Sequence, residues 1–291
     1  MEMKVLIFLC LFNLGCSTLK TNKAIFVTRD MERSLQFNEN IFDHLVFNNE
    51  PLEKNIIRKC LTDDFSNEVE KMLDLLKLKI TPLVYIEVGV CYQLAGEFPK
   101  ALYYYDQGLS KLNKKQKRLK SVVFNNLAIM YSKRDQFHKG YSYLEKALVE
   151  QPNNFVTIYN LALVLTSVGR YDESISLIKK FRGTQDEQTQ LNKILGIDYL
   201  SMNDMSSLES KVINRLDDNL SEKTFLRAVV KYYKTGDSKV VYELIEDLDD
   251  LNPIYKQLYK DLIRILKQKI RDDERKQANT KIFKSGGIKN S

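Results

Sequence analysis

This 291-residue sequence contains no tryptophan, only two histidines, five prolines and four cysteines. The two histidines, His44 and His138, lie far apart, and the His-Glu-x-x-His and Cys-x-x-Cys spacings typical of transition-metal sites are missing. A Gly-x-Ser-x-Gly elbow and a glycine-rich phosphate loop are missing as well. The sequence therefore predicts no metal, no cofactor and no enzymatic activity.

Long hydrophobic runs are also scarce. The run near the amino terminus, Val5 to Phe12, is too short to span a bilayer but has the length of a signal-peptide core. The alternation typical of half-buried strands is absent, so we expect an all-α protein. No platform of aromatic residues and arginines accompanies the basic residues, and this argues against a nucleic-acid partner.

A repeated pattern occupies the middle of the chain. Asn126-Leu127-Ala128 recurs 34 residues later as Asn160-Leu161-Ala162. Apolar residues at helical spacing predict two amphipathic helices in each copy. One small residue in each copy stands where the two helices must approach closely. These residues are Gly89, Ala128, Ala162, Gly196 and, more weakly, Val229, with gaps of 39, 34, 34 and 33 residues.

The pattern of small residue, tyrosine, alanine and proline resembles the tetratricopeptide repeat (TPR), although the tryptophan common in that repeat is absent. The resemblance implies an α-α solenoid of about five helix pairs. The repeats are expected near residues 82–115, 121–154, 155–188, 189–221 and 222–254. We expect capping helices at 51–80 and 255–278 and a flexible basic tail at 279–291. Residues 113–120 are expected to form a lengthened, solvated turn.

In tetratricopeptide arrays the first helix of each repeat lines a concave groove that takes extended peptides or partner helices. The resemblance implies that Asn126 and Asn160 lie on one wall of this groove, where their amides would bind a peptide backbone. The alternative is that both asparagines are satisfied polar residues at helix contacts. Exposed tyrosines such as Tyr104 are candidates for a second protein surface. The other residues expected to face the groove are Asn125, Ile129, Lys133, Tyr159, Leu163, Lys193, Ile197 and Tyr233.

The amino terminus resembles a bacterial lipoprotein signal. Its apolar run ends in Gly15-Cys16, as in a lipobox, with Asn13 where an aliphatic residue is usual. The resemblance implies a signal peptide over 1–15, lipidation of Cys16 and an irregular tether over 16–50. Ser17 then implies residence in the outer membrane, facing the periplasm. The alternatives are a plain cleaved signal and a hydrophobic first helix of a cytosolic protein.

Two cysteines, Cys60 and Cys91, lie beyond the signal region, and we expect two buried thiols rather than a disulfide. The net charge is +7, and residues 264–291 hold nine basic and three acidic side chains. Most of the excess charge is therefore at the carboxyl end. A solvated helix end and tail explain it, and attraction to anionic lipid headgroups or an acidic glycan is the alternative.

The overall plan resembles the TPR lipoproteins of the bacterial envelope of the NlpI type, which scaffold peptidoglycan hydrolases and proteases. The function implied is a non-catalytic adaptor that binds a protein or extended peptide and is held to the membrane by its lipid anchor. The alternatives are an assembly lipoprotein of the type IV pilus, of the PilF/PilW type, and a cytosolic peptide-binding chaperone or regulator. A homodimer formed through the apolar stripe from Leu258 to Ile270 is a further expectation.

Overall fold

The computed structural model describes Val69 and residues 81–286, and these residues form α-helices without any strand. The helices pack in consecutive pairs, which confirms the predicted all-α solenoid. They are α1 (Pro82–Leu94), α2 (Phe98–Lys111), α3 (Lys117–Ser132), α4 (Phe137–Glu150), α5 (Phe155–Ser167), α6 (Tyr171–Lys180), α7 (Gln185–Ser201), α8 (Met205–Ser207), α9 (Ser221–Thr235), α10 (Ser238–Ile245) and α11 (Pro253–Gly286). The expected signal peptide, the Cys16 lipidation site and the tether lie outside the described residues, as do the cap at 51–80, apart from Val69, and the last five residues.

Side-chain caps explain where several helices begin. Thr81 Oγ1 accepts from the amide of Val84 ahead of Pro82, and Asn154 Oδ1 accepts from the amide of Thr157 at 3.0 Å. A capping box joins Thr184 and Glu187 at the start of α7. Each cap satisfies an amide that the first turn of a helix leaves without a backbone partner.

A backbone feature repeats through the array at the turn between the two helices of each pair. Five residues of the described chain have positive φ, and their gaps of 39, 34, 34 and 33 residues equal those between the small residues. Each lies seven residues after a small residue, so both features mark the same position in every repeat. The five residues are Gly96, Asp135, Gly169, Asn203 and Gly236.

The small residues do permit close helix packing. A Cβ at Gly89 would lie 2.8 Å from Cδ1 of Tyr105 on α2, closer than real Cβ contacts come. At Gly196 a Cβ would overlap the hydroxyl of Tyr255 on α11. A larger residue at either position would force the helices apart, as the sequence pattern predicts.

The chain divides into two compact units. Of the described residues, the first unit contains 81–165 and 179–182, and the second contains 166–178 and 183–286. The core of the first unit lies between α1, α2 and α3 and includes Ile86, Tyr105 and Leu127, each 0% exposed. Val69 is helical and 2% exposed and belongs to the same core.

The cysteine expectation is wrong for Cys91. This residue is 0% exposed on α1, and its sulfur forms a disulfide. The other three cysteines, including Cys60, lie outside the described residues. The sequence favoured a thiol because Cys91 falls at a buried position of a helix, but burial does not prevent a cysteine from pairing.

The fourth helix pair of the array, which lies in the second unit, is irregular. After α8 the chain continues as a π-helix over Leu208–Val212 and a 3₁₀-helix over Ile213–Arg215. Leu208 and Val212 are 0% exposed, so this segment still buries its apolar side chains. The sequence pattern fades over the same stretch, as expected for a helix without regular spacing.

Two boundaries differ from expectation. Lys117 to Lys120 form the first turn of α3 and not part of a solvated loop, because Leu119 continues the helical apolar spacing. The last helix extends to Gly286, beyond residue 278, where we expected the capping helix to end. None of the helices in the described ranges combines the length and apolar character needed to cross a membrane.

Candidate partner-binding site

Seven of the ten residues expected to line the groove belong to the first unit. Asn125, Asn126 and Asn160 are 0% exposed. Ile129, Leu163 and Tyr159 are at most 2% exposed, and burial raises the pKa of the Tyr159 hydroxyl to about 12. Lys133, at the end of α3, is exposed. Six of the seven side chains are thus covered in the folded chain.

The asparagine amides make internal hydrogen bonds. Asn160 Nδ2 donates to Asn125 Oδ1 at 3.0 Å and joins α5 to α3. Asn126 Nδ2 lies 3.5 Å from the Tyr105 hydroxyl, which donates to Gln93 Oε1 at 2.6 Å. Asn126 and Asn160 therefore do not make equivalent contacts in their two repeats. Each takes part in a different contact between helices.

Two polar atoms of this cluster have no hydrogen-bond partner in the described part of the chain, namely Asn125 Nδ2 and Asn126 Oδ1. An unpaired buried donor or acceptor costs about 1–3 kcal/mol, so the cluster is incompletely satisfied. One donor and one acceptor on adjacent residues of α3 match the hydrogen-bonding pattern of a peptide backbone. The expectation that these amides bind a partner stays a prediction.

The remaining three residues belong to the second unit. Lys193 is 9% exposed, and its Nζ donates to Glu222 Oε1 at 3.0 Å. Glu222 Oε1 also accepts from the amide of Asn252 at 2.9 Å, so the ion pair connects α7 and α9 to the start of α11. Ile197 is 0% exposed and Tyr233 is 37% exposed. Lys193 thus has a structural contact of its own.

Taken together, Lys133 and Tyr233 are the members of the set with substantially exposed side chains. They are the positions at which a partner can touch the chain without first displacing internal contacts. The lipidation residue, Cys16, lies outside the described residues.

Sequence analysis missed a group of two tyrosines and a lysine that recurs in the first two repeats. In each, two tyrosine rings stack with centroids 5.4 Å apart, and a lysine Nζ lies 5.1 Å from one of the centroids. All matching residues are 39 positions apart, the same gap as between the first two small residues, and this spacing was available in the sequence. The two sets are Tyr92, Tyr104 and Lys100, and Tyr131, Tyr143 and Lys139.

A surface pocket adjoins the first of these stacks. Its volume is about 340 Å³, and Tyr92, Pro99, Lys100, Tyr103 and Tyr104 line it. Tyr103 is 57% exposed and meets Tyr104 edge to face at 5.2 Å. Tyr104, the expected surface tyrosine, is half-buried. A pocket with aromatic walls and one lysine suits an apolar side chain carried by a partner.

A buried carboxyl lies in the second unit. Asp198 on α7 is 0% exposed, and Thr166 Oγ1 donates to its Oδ1 at 2.6 Å. Burial raises the pKa of Asp198 to about 7, while hydrogen bonds from Thr166 and Ser174 lower it in part and Asp172 raises it. In the described residues no three histidine, cysteine or acidic side chains group as metal ligands. The raised pKa of Asp198 makes the stability of the fold depend on pH.

No protein-family model matches the chain, and no solved structure matches it. Among curated proteins, the photosystem I assembly protein Ycf3 of Prochlorococcus marinus (strain MIT 9215) is 28% identical over 119 residues. The match covers 41% of this chain and 67% of that protein. Ycf3 contains TPRs, so this similarity and the all-helical fold fit a TPR protein. They do not bear on the finer resemblance to NlpI or to pilus lipoproteins.

Proposed function

We propose that this protein is a non-catalytic adaptor that holds a partner protein while a larger complex is assembled. The observation that carries the proposal is the array of helix pairs, with turns that recur every 33 to 39 residues, in a chain similar to a protein named for assembly. Arrays of this kind present extended surfaces to their partners. The exposed residues Lys133 and Tyr233 and the tyrosine–lysine stacks supply polar and aromatic contact points.

We further propose that the adaptor works in an oxidising compartment, anchored to the outer membrane through a lipid on Cys16. The disulfide at Cys91 supports the oxidising compartment, because disulfides persist outside the reducing cytosol. Two or more acyl chains, as on a lipoprotein cysteine, would give a stable anchor. Within this setting peptidoglycan-modifying enzymes are the first partners to test. The next partners to test are the pilus secretin and, if the chain is cytosolic, an extended peptide ligand.

The test of the adaptor function is photo-crosslinking in the organism that encodes the protein. A photoreactive amino acid replaces Lys133, directly after α3, and a matched variant carries it at Lys180, an exposed lysine of α6. The expected result is one discrete adduct at position 133 that is absent at 180. If both positions give the same weak background, this surface holds no partner.

The anchor is tested separately by the intact mass and membrane fractionation of the mature chain. A chain that begins at Cys16 with added acyl mass, lost after Cys16→Ser, is the expected result. An unprocessed soluble chain that begins at Met1 would refute the envelope location. The crosslinking result would stand in either case.

A further inference from the structure

A dense group of positive charges lies between the first and second repeats of the first unit. Residues 111–120, here called the basic segment, contain six basic residues and no acidic residue. Five of the six side chains are exposed and the sixth is half-buried. None of the ion pairs within the described ranges includes any of them. The six are Lys111, Lys114, Lys115, Lys117, Arg118 and Lys120.

Three of the six basic residues lie in an added helical turn. In α1 and α5 the small residue of the repeat is the eighth residue of the helix, whereas in α3 and α7 it is the twelfth. The four added residues are 117–120, and at 1.5 Å per residue they lengthen α3 by about 6 Å. Because α1 and α5 pack without such a turn, the packing of a helix pair does not require it.

The added turn does not stabilise its own helix. A helix amino terminus carries partial positive charge, so a cation there is unfavourable when it is not screened. The first turn of α3 has no acidic residue, and Gln116 provides no side-chain cap. Helix α7 shows the favourable arrangement, since its first turn carries Asp186 and Glu187 and a capping box. Stabilisation of their own helix therefore does not explain the charges of the basic segment.

Aromatic rings connect the basic segment to the surface pocket described above. Lys111 Nζ lies 5.4 Å from the ring centroid of Tyr85, and that ring lies 6.3 Å from the ring of Tyr104. Tyr104 lines the pocket together with Tyr103. Lys111 Nζ therefore lies within about 12 Å of the ring of Tyr104, a span of about four extended residues.

We propose that this surface docks an acidic segment of a partner protein that also carries a hydrophobic anchor. The carboxylates of the partner face the basic segment, and an aromatic or aliphatic side chain about four residues away fills the tyrosine pocket. Charge complementarity selects the partner and speeds its approach, while the buried anchor slows its release. This inference rests on the proposed adaptor function and specifies the chemistry of its partner.

The test uses the full-length protein and a fluorescent peptide with a run of glutamates followed, about four residues away, by phenylalanine. Binding is measured by fluorescence anisotropy over a range of salt concentrations. Two comparison peptides lack the phenylalanine or carry lysines in place of glutamates. The glutamate peptide with phenylalanine should bind, and its affinity should fall as salt is added. The peptide without phenylalanine should bind more weakly, and the lysine peptide should not bind.

The charge-reversal variant is Lys114→Glu, Lys117→Glu and Arg118→Glu. It places acidic residues at the start of α3, where they suit the helix dipole, so the fold should be kept. Its affinity for the peptide should fall about tenfold or more, with a weaker salt dependence. The matched control, Lys231→Glu and Lys239→Glu, changes two exposed lysines of the second unit and should bind normally.

The pocket variant is Tyr103→Ala, which should weaken binding severalfold and leave the salt dependence unchanged. Equal binding of wild type and charge-reversal variant would overturn the inference. So would binding to vesicles of phosphatidylserine and phosphatidylcholine with no binding to the peptide, because the surface would then recognise lipid. If the peptide fails while crosslinking at Lys133 still yields its adduct, this inference is wrong and the adaptor function stands.

Discussion

Replacing Asp198 by asparagine should remove a pH dependence that this carboxyl gives to folding. The side chain is 0% exposed, and burial raises its pKa from 3.8 to about 7. In the unfolded chain the carboxyl keeps its ordinary pKa. Because the folded state binds the proton more tightly, Asp198 stabilises the fold fully below about pH 4, and this contribution is lost as the pH rises through about 7.

The size of the effect follows from the two pKa values. A difference of about three pKa units corresponds to about 4 kcal/mol of unfolding free energy between pH 4 and pH 8. Asparagine retains an oxygen that can accept from Thr166 Oγ1, and it has no charge to bury. The free energy of unfolding of wild type minus that of Asp198→Asn should therefore fall by this amount over the same pH range.

Urea unfolding followed by helical circular dichroism, repeated from pH 4 to pH 8, measures this difference. The control is Asp186→Asn, a change at an exposed carboxylate of the same helix, which should keep the pH dependence of wild type. If wild type and Asp198→Asn give parallel curves of unfolding free energy against pH, the assignment of a raised pKa to Asp198 is wrong.

Replacing Asp135 or Asn203 by glycine should stabilise the chain by about 0.5–1 kcal/mol each, because glycine adopts positive φ without strain at Cβ. Thermal unfolding measures this, and a lowered Tm in both variants would contradict it. Gly196→Ala should destabilise by about 1–3 kcal/mol through overlap with the Tyr255 hydroxyl, and adding Tyr255→Phe should restore part of the loss. Without that rescue in urea unfolding, another contact causes the loss. Cys91 should resist alkylation until the protein is reduced, as peptide mass spectrometry can show. Ready alkylation of the unreduced protein would exclude the disulfide.

The number and register of the helix pairs could be predicted from the sequence. A small residue at Gly89, Ala128, Ala162 and Gly196 recurs because each repeat solves the same packing problem, and the positive φ seven residues later follows the same register. Local spacing is enough for this, since it decides which face of a helix meets its partner in the pair.

The contacts of the candidate site could not be predicted in the same way. Asn126 and Asn160 occupy equivalent places in their repeats, yet Asn160 bonds to Asn125, while Asn126 lies beside Tyr105. Equivalent positions in a repeat have different neighbours, because the residues of the adjoining helices differ from copy to copy. An alignment of the copies therefore identifies the position of a side chain but not its hydrogen-bond partner.

The basic segment shows a similar difference. Its six basic residues are visible in the sequence, but the near-neutral net charge of the repeats as a whole conceals them. Because we expected a solvated turn there, we predicted no function for it. The structure adds that residues 117–120 belong to α3 and that a tyrosine pocket lies near the basic segment.

Periodicity in the sequence thus determined the all-α class, the repeat count and the buried stripe of each helix, because these depend on residues within one or two turns. The tertiary structure alone decided that most of the predicted groove residues are covered, that Cys91 is paired and that the pKa of Asp198 is raised to about 7. Each of these depends on groups distant in sequence, whose approach changes the solvation, the hydrogen bonds and the charge environment of a side chain.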